Sequence, residues 1–180
     1  KRQCMFSFNK SDNFLMEIEV KLSMMSPNQI TFDLSDNMQV ENVTLLSTNT
    51  NLNYTQNSDD ELVIELAELQ SQGTIDSVSV TYSGNPVSSG FGSFEQSYHN
   101  GDPIVWTLSE PYGAKGWWPC KQDLNDKIDS IDVYINTPVN NSDNEEYISA
   151  SNGLEISQIY NDDIKTTHFR HNYPIPAYLI

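Results

Sequence analysis

Three histidines, two cysteines and a large excess of carboxylates are the residues of this chain that could do chemistry. A metal site comes first to mind. His168-x-x-His171 falls in a stretch, "TTHFRHNY", that reads as a strand. Strand residues three apart point to opposite faces, so the two imidazoles do not converge on one ion. No H-E-x-x-H pair supplies a zinc helix with its general base. The acidic runs "SDDE" (58–61) and "SDNEE" (142–146) lack the ligand spacing of a calcium loop. Nucleophile elbows, P-loops and dinucleotide fingerprints are missing from the sequence as well. What remains is "SEPYGAKGWWPCKQDLNDK" (109–127), where Glu110 stands near Tyr112, Trp117, Trp118 and Cys120 in a run that is neither helix-like nor strand-like. Such a run admits three readings: a carboxylate carried to a substrate, an aromatic platform for sugars, or a core corner.

The elements that must position these residues are strands. "QITFDL", "ELVIEL", "SVSVTY" and "SIDVYI" alternate apolar and polar residues, which places Val78, Val80 and Tyr82 on one face and Ile131, Val133 and Ile135 on another. "FLMEIEVKLSMM" alternates in part, with Met16, Ile18, Val20 and Leu22 together. Helical periodicity is weak, and "KQDLNDKID" offers one or two turns at most. "SGNP", "NGDP" and "SNG" break the chain between strands. Residues 83–102 read as a long irregular connection, and "VNNSDNEE" (139–146) as an exposed hairpin tip. The expectation is one all-β domain over residues 1–180, built as a twisted antiparallel β-sandwich. In a strand Trp117 and Trp118 would face opposite ways, one inward and one towards an inter-domain surface.

The chain has 180 residues, enough to bury a proper core, and a formal charge of −16 from 25 acidic and 9 basic residues. That charge opposes nucleic acid and anionic lipid, whose phosphates it would repel. No apolar run approaches the roughly 20 residues of a membrane-spanning helix. Two cysteines, Cys4 and Cys120, make no disulfide framework, and both a single bridge and buried thiols fit the sequence. Sequons at Asn9, Asn42, Asn53 and Asn140 are near chance for so Asn-rich a chain. A sequence that opens on Lys1 and closes on the apolar Tyr178-Leu179-Ile180 reads as a piece of a longer polypeptide.

"EPYGAKGWWPC" resembles the E/Q-P-T-x-A-R-x-x-F-P-C segment in the N-terminal domain of the M1 family of zinc aminopeptidases. Thr107, Glu110, Pro111, Ala114, Pro119, Cys120 and Lys127 take the family's positions, with Lys115 for the usual Arg and Trp118 for Phe. "SVSVTYSG" and "SGFGSF" resemble the V-x-I-x-Y-x-G and G-F-Y elements upstream. "ASNGLE" and "NYPIPAYLI" resemble the S-N-G-x-L turn and the closing P-x-x-T-Y-L strand downstream. Gln122, Asp123 and Leu124 replace the usual D-E-P, and Lys115 lacks the bidentate fork of an arginine.

The resemblance implies a saddle-like, non-catalytic N-terminal domain. It also implies a partner, the C-terminal catalytic domain of the same polypeptide, which holds the zinc and the H-E-x-x-H helix; no cofactor is expected in this chain. Export from the cytoplasm is a further implication. Glu110, flanked by Pro111 and Tyr112, would bind the free α-amine of a peptide N-terminus. An α-amine with a pKa of about 7.7–8.0 is mostly protonated at neutral pH. Each charge-assisted bond it donates is worth roughly 1.5–3 kcal/mol. An interior peptide nitrogen carries no charge and could not offset the desolvation of the carboxylate. The competing expectation is a carbohydrate-binding β-sandwich that stacks sugars on Tyr112, Trp117 and Trp118.

Overall fold

A computed structural model describes residues 28–71 and 73–180 with their side chains, and residues 3–8 and 13–21 as backbone strands. The face of Met16, Ile18, Val20 and Leu22, the Cys4 half of any bridge and the Asn9 sequon lie outside the described residues.

The fold is all-β. Its strands are β1 (Gln3–Phe8), β2 (Asn13–Lys21), β3 (Gln29–Asp33), β4 (Met38–Leu45), β5 (Thr50–Asn51), β6 (Tyr54–Gln56) and β7 (Glu61–Glu65). They continue with β8 (Ile75–Gly84), β9 (Ser93–His99), β10 (Asp102–Leu108), β11 (Ser130–Pro138), β12 (Leu154–Asn161) and β13 (Ile164–His171). Eight of them form one sheet in the order β12-β13-β11-β1-β2-β8-β4-β5. A three-stranded sheet, β3-β7-β6, lies apart from it, and β9 and β10 make a two-stranded ribbon. The expected antiparallel pairing holds except between β1 and β11, which run parallel, and the small ribbon is a third sheet beyond the two expected.

Alternation explains which faces are buried. Val78, Val80 and Tyr82 of β8 are at most 1% exposed, while Ser77, Ser79 and Thr81 between them are half-buried. Ile131 and Val133 of β11 and Phe169 of β13 join them in one continuous core with Ile30, Phe32, Leu62 and Ile64 of the small sheet. Removing such side chains from water at ~25 cal/mol per Å² is the main stabilising term.

Two expectations need correction, and a third holds. Residues 83–102 are not irregular throughout: only 85–92 are, and β9 follows. The two-residue turn Asn100-Gly101 then closes the ribbon, both residues having positive φ (53° and 101°), as a tight hairpin turn requires. The ribbon escaped notice because β10 is exposed along most of its length, so burial imposes no alternation on it. "KQDLNDKID" forms no helix; Asn125 bonds to the Asp123 carboxylate and only a single turn, Asp126 N–H to Asp123 C=O, remains. The tip at 139–146 does form, closed by a bridge between Asn140 and Glu146, with 142–146 exposed.

Candidate functional site

Glu110 sits on a turn that is solvated outside and anchored inside. Leu108 ends β10, Ser109 is fully buried, and Glu110, Pro111 and Tyr112 swing outward, Tyr112 to 61% exposure. The Glu110–Pro111 peptide is cis. The chain re-enters at Gly113 and makes a one-turn 3-10 helix over Ala114–Gly116. The Gly113 N–H donates to the Ser109 carbonyl at 2.8 Å, which closes the turn.

Two glycines let neighbouring groups approach closely. A Cβ on Gly113 would lie 1.8 Å from the Ser93 hydroxyl oxygen at the start of β9. A Cβ on Gly90, whose φ is +61°, would lie 2.7 Å from the Glu110 carbonyl oxygen. The ribbon and the 85–92 segment therefore press against the turn from one side.

Trp117 and Trp118 anchor it from below. They are 2% and 1% exposed, and their rings meet at 5.9 Å, tilted by 54°. The expectation that one would line a surface fails because the backbone is not extended there: Trp117 has φ −143° and ψ −13° as it leaves the 3-10 turn. Trp117 Nε1–H donates to Ser109 Oγ at 2.9 Å, and its ring packs against Phe94 of β9 at 6.0 Å. Cys120 is buried and exchanges two backbone hydrogen bonds with Asp33 at the end of β3. Of the three aromatic side chains proposed as a sugar platform, only Tyr112 is exposed, so the platform does not exist as expected.

Lys115 reaches the small sheet. Its Nζ lies 2.7 Å from Asp60 Oδ2, in the tight turn between β6 and β7. The hydrogen bond from Lys115 holds the Asp60 carboxyl below its ordinary value, and the same bond holds the ammonium above its own. The sequence offered no sign of this partner, because 55 residues separate the two and nothing but tertiary folding joins them.

The Glu110 carboxylate itself makes no ion pair or hydrogen bond among the described residues. Pro111, Ala114, Gln122, Leu124, Ala177 and Tyr178 line a narrow cleft beside it, so the C-terminal segment lies against the turn. Phe91, Trp106, Leu108, Tyr112, Leu124 and Leu179 are exposed apolar residues on the ribbon, the turn and its neighbouring segments. A hollow of about 400 Å³ between Ile30, Leu45, Leu66 and Val78 shares no lining residue with the turn.

A second carboxylate is treated in the opposite way. Asp132 on β11 is 2% exposed; Arg170 on β13 grips it twice, Nε to Oδ1 at 2.7 Å and Nη2 to Oδ2 at 2.9 Å. His168 Nε2 stands 2.6 Å from Oδ1, and its ring stacks on Tyr134 at 4.2 Å. His171, the other half of the candidate metal pair, instead meets Tyr173 edge-on. Among the described residues no three His, Cys, Asp or Glu side chains converge to hold a metal, so the described residues do not fit a zinc site. No helix among them is long and apolar enough to cross a membrane.

Known proteins carry the same architecture. A mutant M1 zinc metallopeptidase from Deinococcus radiodurans bound to a Tyr-Ser-Ala substrate superposes with a TM-score of 0.75 at 19% identity, over 98% of this chain and 39% of that one. A two-domain mutant form bound to L-arginine gives 0.76 at 18%, with the same coverage. Yeast LTA4 hydrolase in complex with bestatin gives 0.66 at 14%, over 98% of this chain and 27% of that one. The chain thus spans about two fifths of the Deinococcus enzyme's length. A comparison with curated protein sequences gives no match. At such identities the structural likeness speaks for the fold alone. The model of the Peptidase M1 N-terminal domain matches residues 8–179, nearly the whole chain, and the chain belongs to that family.

Proposed function

We propose that this chain is the substrate-positioning domain of an M1-type zinc aminopeptidase, and that Glu110 binds the α-ammonium of the peptide. The observation that carries the reading is the state of Glu110: exposed, without a partner among the described residues, and mounted on a turn fixed to the core. A carboxylate anchored in the open, with no ion pair to a cation among the described residues, is prepared to receive a cation from elsewhere. Pro111 and Tyr112 continue the same outward face, where Tyr112 offers an apolar wall to the first side chain of the substrate.

The exposed apolar residues around the turn support a covering partner, since patches of this kind mark interaction surfaces. In this reading the partner is the catalytic domain of the same polypeptide, which supplies zinc and bond cleavage. The M1 metallopeptidase structures solved with Tyr-Ser-Ala and with L-arginine hold ligands of the expected class, each with a free α-amine. Burial of Trp117 and Trp118 weighs against the sugar-binding alternative.

The test uses the polypeptide that carries both domains. Glu110→Ala should lower kcat/KM for aminoacyl substrates about ten- to a hundredfold, the loss of one charge-assisted bond. Unchanged kcat/KM would overturn the role of Glu110.

A further inference from the structure

We propose that the Asp60–Lys115 ion pair sets the position of the substrate-binding turn, with Lys115 a positioning residue that never touches substrate. This rests on the reading of Glu110 given above. The turn has two roots. The upstream root, Ser109, is buried and bonded to Trp117. The downstream root is the 3-10 turn, where the Gly116 carbonyl accepts the Val87 N–H and the Asn37 side-chain amide, while Lys115 ties it to the small sheet. The Lys115 carbonyl accepts the Ser35 N–H at 2.9 Å, and its ammonium reaches Asp60.

Asp60 is itself immobilised. Its φ of 61° belongs to the tight turn between β6 and β7, its carbonyl accepts the Leu34 N–H at 2.8 Å, and its Oδ1 accepts from Ser35 Oγ at 3.1 Å. A continuous run of fixed groups thus leads from the small sheet to the turn that carries Glu110. Lys115 is also the cation nearest Glu110 in the sequence, and Asp60 engages it, which leaves Glu110 open to a ligand.

The two side chains are 33% and 29% exposed. Water screens such a pair, so it adds little to global stability. What it fixes is geometry, and binding of a charged end group is sensitive to small displacements.

The experiment measures steady-state kinetics on aminoacyl p-nitroanilides with the two-domain polypeptide, and circular dichroism melts confirm folding. Lys115→Met should raise KM about fivefold with kcat nearly unchanged, the scale of one partly exposed ion pair. Asp60→Asn should do the same, and Lys115→Arg should keep the original KM. In a Glu110→Ala background, Lys115→Met should add nothing, because its effect passes through Glu110. If Lys115→Met fails to fold, Asp60→Asn alone carries the test. A KM untouched by either variant while Glu110→Ala raises it would overturn the positioning role and leave the reading of Glu110 standing. Equal losses from Lys115→Met with and without Glu110 would also overturn it, as a purely structural effect. No effect of Glu110→Ala itself would instead overturn the reading on which this one rests.

Discussion

Asp132 and Glu110 are both carboxylates on a β-scaffold, and the fold uses them oppositely. Asp132 is buried in the large sheet, where Arg170 and His168 occupy its oxygens. A carboxylate with its lone pairs taken can stabilise strands β11 and β13 but can greet no ligand. Glu110 sits where no described side chain reaches it, and the order around it comes from Ser109, Gly113 and Trp117 beneath. Availability is therefore not a property of residue type. It follows from where folding places the neighbouring donors.

The sharpest way to break this contrast is to remove each carboxylate in turn. Asp132→Ala should cost the most stability, about 3 kcal/mol, because it leaves buried His168 without its partner and removes both bonds from Arg170. Urea denaturation would measure it, and a loss below 1 kcal/mol would mean that the cluster is not structural. Next in size is Gly113→Ala. Its methyl meets the Ser93 hydroxyl oxygen, so the site must shift, at about 1–3 kcal/mol. The same variant should also lower kcat/KM in the two-domain polypeptide, since the turn moves with it. An unchanged melting temperature would show that β9 yields freely.

The Asp60–Lys115 pair predicts a smaller, pH-bounded effect. The Asp60 pKa is lowered in the fold, so its contribution is present above about pH 4 and fades as pH falls through the lowered value. The Lys115 pKa is raised, so its contribution is present below about pH 10 and fades as pH rises through the raised value. Asp60→Asn should therefore trail the parent by no more than about 1 kcal/mol across the middle of that range, and the gap should close at both ends. Melts in a pH series would reveal a gap that persists in acid, which would assign the loss to something other than the ion pair. The smallest effect belongs to Glu110→Ala, whose stability should stay within about 0.5 kcal/mol of the parent even as catalysis falls. A large loss of stability would mean that Glu110 holds its own domain together and so resembles Asp132.

Much of the frame was legible in the residues. β3, β7 and β8 alternate because one face of each is the more deeply buried, and burial is what writes period two into a sequence, whereas β11 and β13 bury residues on both faces, Asp132 beside Ile131 and Val133, and His168 beside Phe169. β4 leaves no period two to read because its register shifts between Val40 and Asn42, which breaks the alternation between buried Met38 and buried Val43. β12 leaves none for another reason. It is the outer strand of the large sheet, with Leu154, Ile156, Ile159 and Tyr160 all exposed, so no face of it is selected for burial. The parallel pairing of β1 with β11 joins segments more than a hundred residues apart and leaves no local trace.

At the site the division runs through single residues. Glu110, Pro111, Ala114, Lys115, Trp118, Pro119 and Cys120, taken with the upstream and downstream motifs in their shared order, pointed to the family, because close-packed turns restrict which residue types fit. The sequence also determined that these residues carry a carboxylate beside bulky aromatic groups. It could not decide which groups face water. That outcome depended on a non-extended backbone at Trp117, which turns both indoles inward, and on Asp60, which arrives from a distant hairpin to take the lysine. Local chemistry is written in consecutive residues, whereas exposure and ion pairing are set by whatever the folded chain brings alongside, and only the tertiary structure left Glu110 open while it closed Asp132.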